Sequence, residues 1–183
     1  MIYTTAELKK ILKDFYNINK AVREGQYFKI GHGLYSDVNH KLDELEEIFA
    51  KYPNAILSMQ SAFAFYELSD YIPNKYYVVT NQKAHKIENS KVQQIYVSSD
   101  IHNIGKQVVK TKYGYINIYD KERMLIELFR LKSKFDYSYF KEIIASYREL
   151  AQKHELDSHK IVEYCSMFKR GTEIRNRIQE VVL

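Results

Sequence analysis

Six histidines, one cysteine and scattered carboxylates are the side chains of this chain that could do chemistry. His32, His40, His85, His102, His154 and His159 do not cluster, and His154 and His159 lie five apart, not at the one-face i, i+4 spacing of a helical metal site. Cys165 cannot build a cysteine zinc cluster alone, and it shares an apolar helical stripe with Ile161, Val162 and Phe168. A buried thiol is therefore expected there, not an activated nucleophile. No Gly-x-Ser-x-Gly elbow, P-loop or dinucleotide fingerprint occurs. A nuclease needs Asp and Glu gathered at strand ends beside a lysine, to hold a metal and activate water. Glu7-Leu8-Lys9 has the letters but falls on a predicted helix. The expectation is no enzyme, no cofactor and no metal, with a metal-dependent nuclease kept as an alternative that a carboxylate cluster on the sheet would revive.

Nucleic-acid chemistry is better represented. Residues 17–36, NINKAVREGQYFKIGHGLYS, predict a short polar helix, a glycine stop and two strands around Gly31-His32-Gly33. Asn17, Asn19, Lys20 and Arg23 fall away from the apolar positions Ile18, Ala21 and Val22. Asn and Arg side chains can read adenine and guanine edges, and Lys neutralises phosphate. Lys29 and His32 on the hairpin could touch the flanking backbone or minor groove. Residues 1–36 hold six Lys and Arg against three Asp and Glu, a large share of the whole chain's net +5. Any amphipathic helix has a solvated polar face, so this pattern alone leaves a DNA reader and an edge hairpin both open.

The elements that must position these residues follow from periodicity. Thr4 or Thr5 caps a helix over about 5–13, with Leu8, Ile11 and Leu12 on one face. Asp14 caps a second over about 15–24, with Phe15, Ile18, Ala21 and Val22 inward, and Gly25 ends it. Asp37 or Asn39 opens a helix over about 38–50; Ala55-Ile56-Leu57 is a buried run; Ser58 caps a helix to about Leu68. The middle is strand-rich at 76–80 and 94–97, with a polar loop between, then a hairpin of 107–111 and 115–119 around Tyr113-Gly114. The C-terminal third is helical, capped in turn by Asp120, Asp136 and Asp157 or Ser158, with Gly171 before the last helix.

At 183 residues and 45% apolar content the chain can bury a substantial core. It has only eight Pro and Gly residues, no repeat and no long apolar run. A basic, then apolar, leader is absent, and one cysteine forms no internal disulfide, so a cytoplasmic protein is expected. The 17 tyrosines fit a Lys-, Asn- and Ile-rich composition as well as a stacking surface.

Three blocks in order resemble a known family. TTAELKKIL with NINKAVREGQYFKIGHGLYS is similar to the N-terminal winged helix-turn-helix of the AbiEi antitoxins, regulators in bacterial phage-defence (abortive-infection) toxin–antitoxin systems. YPNAILSMQSAFAFYELSDYIPNKYYVVT resembles the family's strand, Ser-x-x-Ser-Ala helix (Ser58 and Ser61) and Ile-Pro turn. INIYDKERMLIELFR resembles its strand-Asp-x-x-Arg-helix block, at Asp120 and Arg123. The resemblance implies an α+β protein: a short winged helix-turn-helix at 1–37, then a mixed domain at 38–183 with a small β-sheet and a C-terminal helical bundle. It implies a transcriptional autoregulator binding double-stranded DNA at inverted repeats in its own promoter, and countering a nucleotidyltransferase-like toxin without a required stable complex; a homodimer on the DNA is expected if the operator is an inverted repeat.

The family module usually has one more helix before the two seen here. Without it, Leu8, Ile11 and Ile18 need cover from helix 38–50, the larger domain or a second subunit. A reduced module would instead serve protein interaction, the first alternative function. Ser58, Ser61, Asp120 and Arg123 are expected to be structural: caps and packing residues, with Arg123 pairing Asp120 or an acid of the C-terminal helices.

Overall fold

In a computed structural model, residues 1–110 and 114–183 are described; the predicted turn at Tyr113 lies outside them. The chain is α+β, with two small sheets and a helical C-terminal third. It divides into two compact units, Met1–Ala55 with Val108–Asn117, and Ile56–Gln107 with Ile118–Leu183. Residues 38–55 thus go with the first unit, where the division had been expected after Asp37.

The first unit runs β1 (Ile2–Thr4), α1 (Thr5–Leu12), α2 (Phe15–Arg23), β2 (Phe28–Gly31), β3 (Leu34–Ser36) and α3 (Glu44–Lys51). Thr4 begins α1 through a reciprocal capping box with Glu7, and Asp14 caps α2 by accepting the Asn17 backbone N–H at 2.8 Å. Gly25, with φ +73°, ends α2. β1 is an element that periodicity does not reveal, since three residues carry too few alternations. It pairs antiparallel with β3, which also takes β2, giving the sheet order β1-β3-β2. The hairpin therefore belongs to a three-stranded sheet with the wholly buried Leu34-Tyr35-Ser36 at its centre.

This sheet answers what covers the helices. Leu8 and Ile18 are fully buried, clustered with Tyr35, and Tyr3, Leu12, Val22 and Tyr27 pack around them. Tyr3 and Tyr27 meet edge to face at 5.6 Å. Ile11 is not covered, being 54% exposed, and Phe15, expected inward, is 51% exposed with the Lys9 ammonium 4.1 Å above its ring. Helix 38–50 is also corrected. α3 starts only after Asp43, because Asp43 and Glu46 form the capping box, and Asn39 and Val38 are poor helix formers.

The second unit begins at β4 (Ile56–Leu57), followed by α4 (Met59–Phe65), β5 (Tyr76–Asn81), β6 (Val92–Val97) and α5 (Ser99–His102), a short helix that the sequence pattern did not reveal. β7 (Lys106–Lys110) and β8 (Tyr115–Tyr119), whose residues Val108–Lys110 and Tyr115–Asn117 count with the first unit, lead to α6 (Lys121–Arg130), α7 (Tyr137–Gln152), α8 (Ser158–Ser166) and α9 (Gly171–Val181). The sheet order is β6-β5-β4-β8-β7, with β4 antiparallel to β5 and parallel to β8. Buried residues Glu122–Phe129 make α6 a central helix, packed by α4, α8 and α9. Phe140 of α7 meets Phe129 edge to face at 5.8 Å.

Candidate nucleic-acid interface

α2 is amphipathic in the way a reading helix requires. Ile18 and Ala21 are buried, while Asn19, Lys20 and Arg23 are exposed. Lys20 makes a loose 3.8 Å pair with Glu24 on the open surface, the kind of contact that holds a side chain weakly. The Arg23 Nε–H donates to the Asn19 carbonyl at 3.3 Å, and among the described residues its terminal nitrogens have no acidic partner. Lys29 and His32 are exposed on the hairpin.

Asn17 is placed differently from the other predicted contacts. It is half-buried, and its amide donates to the Leu12 carbonyl at 2.9 Å and to Asp14 Oδ2 at 3.3 Å. It staples the turn between α1 and α2 rather than presenting a free amide. A short polar side chain three residues after a cap carries that signal in principle, because Asn competes for local backbone groups. At the start of α1, hydrogen bonds from the Thr4 backbone N–H and hydroxyl hold the Glu7 carboxyl below the usual range. The carboxylate is thereby fixed as the cap's acceptor.

The four positions of the second and third blocks lie in the second unit, in three different environments. Ser58 stands at the N-cap position of α4 but makes no capping hydrogen bond; its hydroxyl faces Met124 Sδ at 3.6 Å in the core. Ser61 accepts the Tyr77 N–H at 2.8 Å and donates to the Lys75 carbonyl at 3.3 Å, tying α4 to the start of β5. Asp120 is the expected cap of α6, accepting the Arg123 N–H at 2.8 Å and the Tyr164 hydroxyl at 2.9 Å. Burial raises its carboxyl above the usual value, against these two hydrogen bonds.

Of the two expected partners of Arg123, Asp120 and an acid of the C-terminal helices, the structure gives the second, on its own helix α6. Its side chain is fully buried and pairs with Glu127 one turn on, with Nη2 to Oε1 at 2.8 Å. Nη1 donates to the carbonyls of Ile101 and Ile104 at 2.7 and 2.9 Å, and the guanidinium lies against the rings of Tyr119 and Phe168. The other oxygen of Glu127 accepts from Arg130 at 2.6 Å. Gly105 makes room for this arrangement: at φ +69°, any Cβ there would stand 2.5 Å from the Arg123 Cβ. Such an Arg-Glu-Arg triad carries one surplus positive charge and fixes the loop after α5.

Among the described residues no group of three or more His, Cys, Asp and Glu could hold a metal ion, and no helix is long and apolar enough to cross a membrane. Cys165 is buried, and desolvation raises its thiol above the ordinary value.

No protein-family model matches the chain, and no curated protein matches it. Among solved structures it is similar in fold to the RV2827C protein from Mycobacterium tuberculosis. That likeness covers 96% of this chain and 71% of that one, at 11% identity and a TM-score of 0.53. At this identity it concerns fold alone.

Proposed function

We propose that the chain binds double-stranded DNA through its first unit and represses its own promoter, as the regulator and antitoxin of an abortive-infection toxin–antitoxin pair. The observation that carries the DNA reading is the exposed Asn19, Lys20 and Arg23 on one face of α2, opposite the buried Ile18 and Ala21. In this reading α2 enters the major groove, Arg23 and Asn19 face base edges, and Lys20 faces phosphate. Lys29 and His32 hold the flank from the hairpin, and Asn17 supports the helix from within the turn. Two copies engage an inverted repeat, one on each half-site. The antitoxin role and the nucleotidyltransferase-like toxin rest on the three sequence blocks. The chain acts by binding, in the cytoplasm, and not as an enzyme.

The test is affinity for the native promoter against a scrambled fragment of equal length, at two salt concentrations. Preference for the promoter with a steep salt dependence is expected. The double variant Lys20→Ala, Arg23→Ala should lose that preference while staying folded. Equal affinity for both fragments would overturn the DNA reading. It would leave an interaction module, a reading favoured by the exposed Ile11, Phe15 and Tyr16 around the α1–α2 turn.

A further inference from the structure

A cavity of about 760 Å³ opens within the second unit, between α5, the C-terminal end of α6 and the corner joining α8 to α9. This is within the size range of sites for small organic ligands, roughly 300–1,000 Å³. Its floor is apolar and partly aromatic, built from Ile101, Phe129, Phe168 and Ile174. Its walls carry five cations, Arg130, Lys132, Lys169, Arg170 and Arg177, against two carboxylates, Asp100 and Glu173.

The charges do not cancel. Glu173 is held by both Arg170 and Arg177, at 2.8 and 3.0 Å, so one carboxylate answers two guanidiniums. Arg130 shares the buried Glu127 with the equally buried Arg123, so that wall also keeps a positive surplus. Among the described residues Lys169 has no acidic partner, and the Lys132 ammonium lies over the Phe140 ring, at 4.9 Å, with no acidic partner either. Two hydroxyls, Ser98 and Ser133, also line the cavity, and Ser98 makes no capping bond to α5 although it holds the N-cap position. The α8–α9 corner is fixed by close packing: a Cβ on Gly171 would stand 1.6 Å from the Cys165 carbonyl oxygen. Lys169 and Arg170 flank that closely packed corner.

A purely apolar ligand would leave the surplus charge of the walls unanswered, and a bare anion would gain nothing from the floor. From this combination we infer that the cavity is a binding site for a nucleoside phosphate, its base on the Phe129 and Phe168 side and its phosphates toward Lys132, Lys169 and the arginines. This site is independent of the DNA reading of the first unit, since it uses none of its residues.

The test is calorimetric titration of the full chain with ATP, adenosine and inorganic phosphate. Saturable ATP binding is expected, with adenosine and phosphate each weaker by about tenfold or more. Lys132→Glu and Lys169→Glu, both surface changes, should each weaken ATP by about tenfold without lowering the thermal midpoint. Lys20→Ala with Arg23→Ala should leave ATP binding unchanged, which separates this site from the promoter interface. Absence of saturable ATP binding would overturn the inference. So would phosphate binding as tightly as ATP, or ATP binding indifferent to both lysine changes.

Discussion

Arg23 in the first unit and Arg123 in the second are the same side chain in opposite settings. Arg23 lies on an open helix face, tethered by one long hydrogen bond to its own helix. Arg123 has no exposed surface, and its guanidinium is occupied by Glu127, two carbonyls and two rings. Removing a guanidinium from water is costly, and only near-complete satisfaction offsets that cost. The buried arginine is thus committed to one arrangement of the fold. The exposed one adds little to stability and keeps its donors for a ligand.

The comparison breaks most visibly at Arg123. Arg123→Ala leaves Glu127 Oε1 and two carbonyls buried without their partner, with only the other Glu127 oxygen still held by Arg130, and should cost about 3–5 kcal/mol in urea unfolding. A loss below about 1 kcal/mol would mean that the triad is not what holds this region. Gly105→Ala attacks the same site from outside, through its left-handed backbone and the close Arg123 Cβ. It should cost about 2 kcal/mol or more, with hydrogen exchange rising first around residues 101–105. Thr4→Ala removes the cap of α1 and should cost about 1 kcal/mol, with faster exchange confined to the first unit. Spread of that effect into α6 would mean that the two units do not respond separately.

Acid should separate the units too. Desolvation lowers the His102 pKa, so the unfolded chain binds this proton more readily than the native one. Its contribution is complete above about pH 6.5 and is lost as the pH falls through the lowered native value. Glu7 is lowered as well, so its contribution is complete above about pH 4.3 and fades only below that. Asp120 is raised and has the opposite sign, gaining stability as the pH falls toward it. Between pH 7 and 5.5 the wild type should therefore lose stability that His102→Gln does not lose, by urea unfolding at each pH. The smallest expected effect is on the exposed side: Lys20→Ala with Arg23→Ala should change stability by no more than about 0.5 kcal/mol. A large loss would mean that these cations serve the fold.

Local signals in the chain were enough for much of this architecture. The two N-terminal helices, Asp14 and Asp120 as caps, and the four C-terminal helices α6 to α9 all follow from capping and periodicity over one or two turns. β1 escaped because Ile2-Tyr3-Thr4 is too short to show alternation and gains its conformation only by pairing with β3. α3 was placed too early because a cap is chosen by which carboxylate can close a box with the N3 residue, here Asp43 with Glu46. Ser58 had the right type and position for a cap, but burial turned its hydroxyl to Met124.

Of the candidate interface, Asn19, Lys20 and Arg23 were legible as polar positions opposite an apolar stripe, and Lys29 and His32 as polar positions of a hairpin. Asn17 was not, because its partner is a backbone carbonyl exposed only by the turn. Sequence alone determined where α1, α2 and α6 start and that Ile18 and Ala21 form the buried side of α2, since these depend on neighbours within a turn or two. Tertiary structure decided that Arg123 is a buried pin, and that cations from α6, the α8–α9 corner and α9 share one cavity wall. The reason is that desolvation and charge balance depend on residues tens of positions apart, which no local spacing encodes.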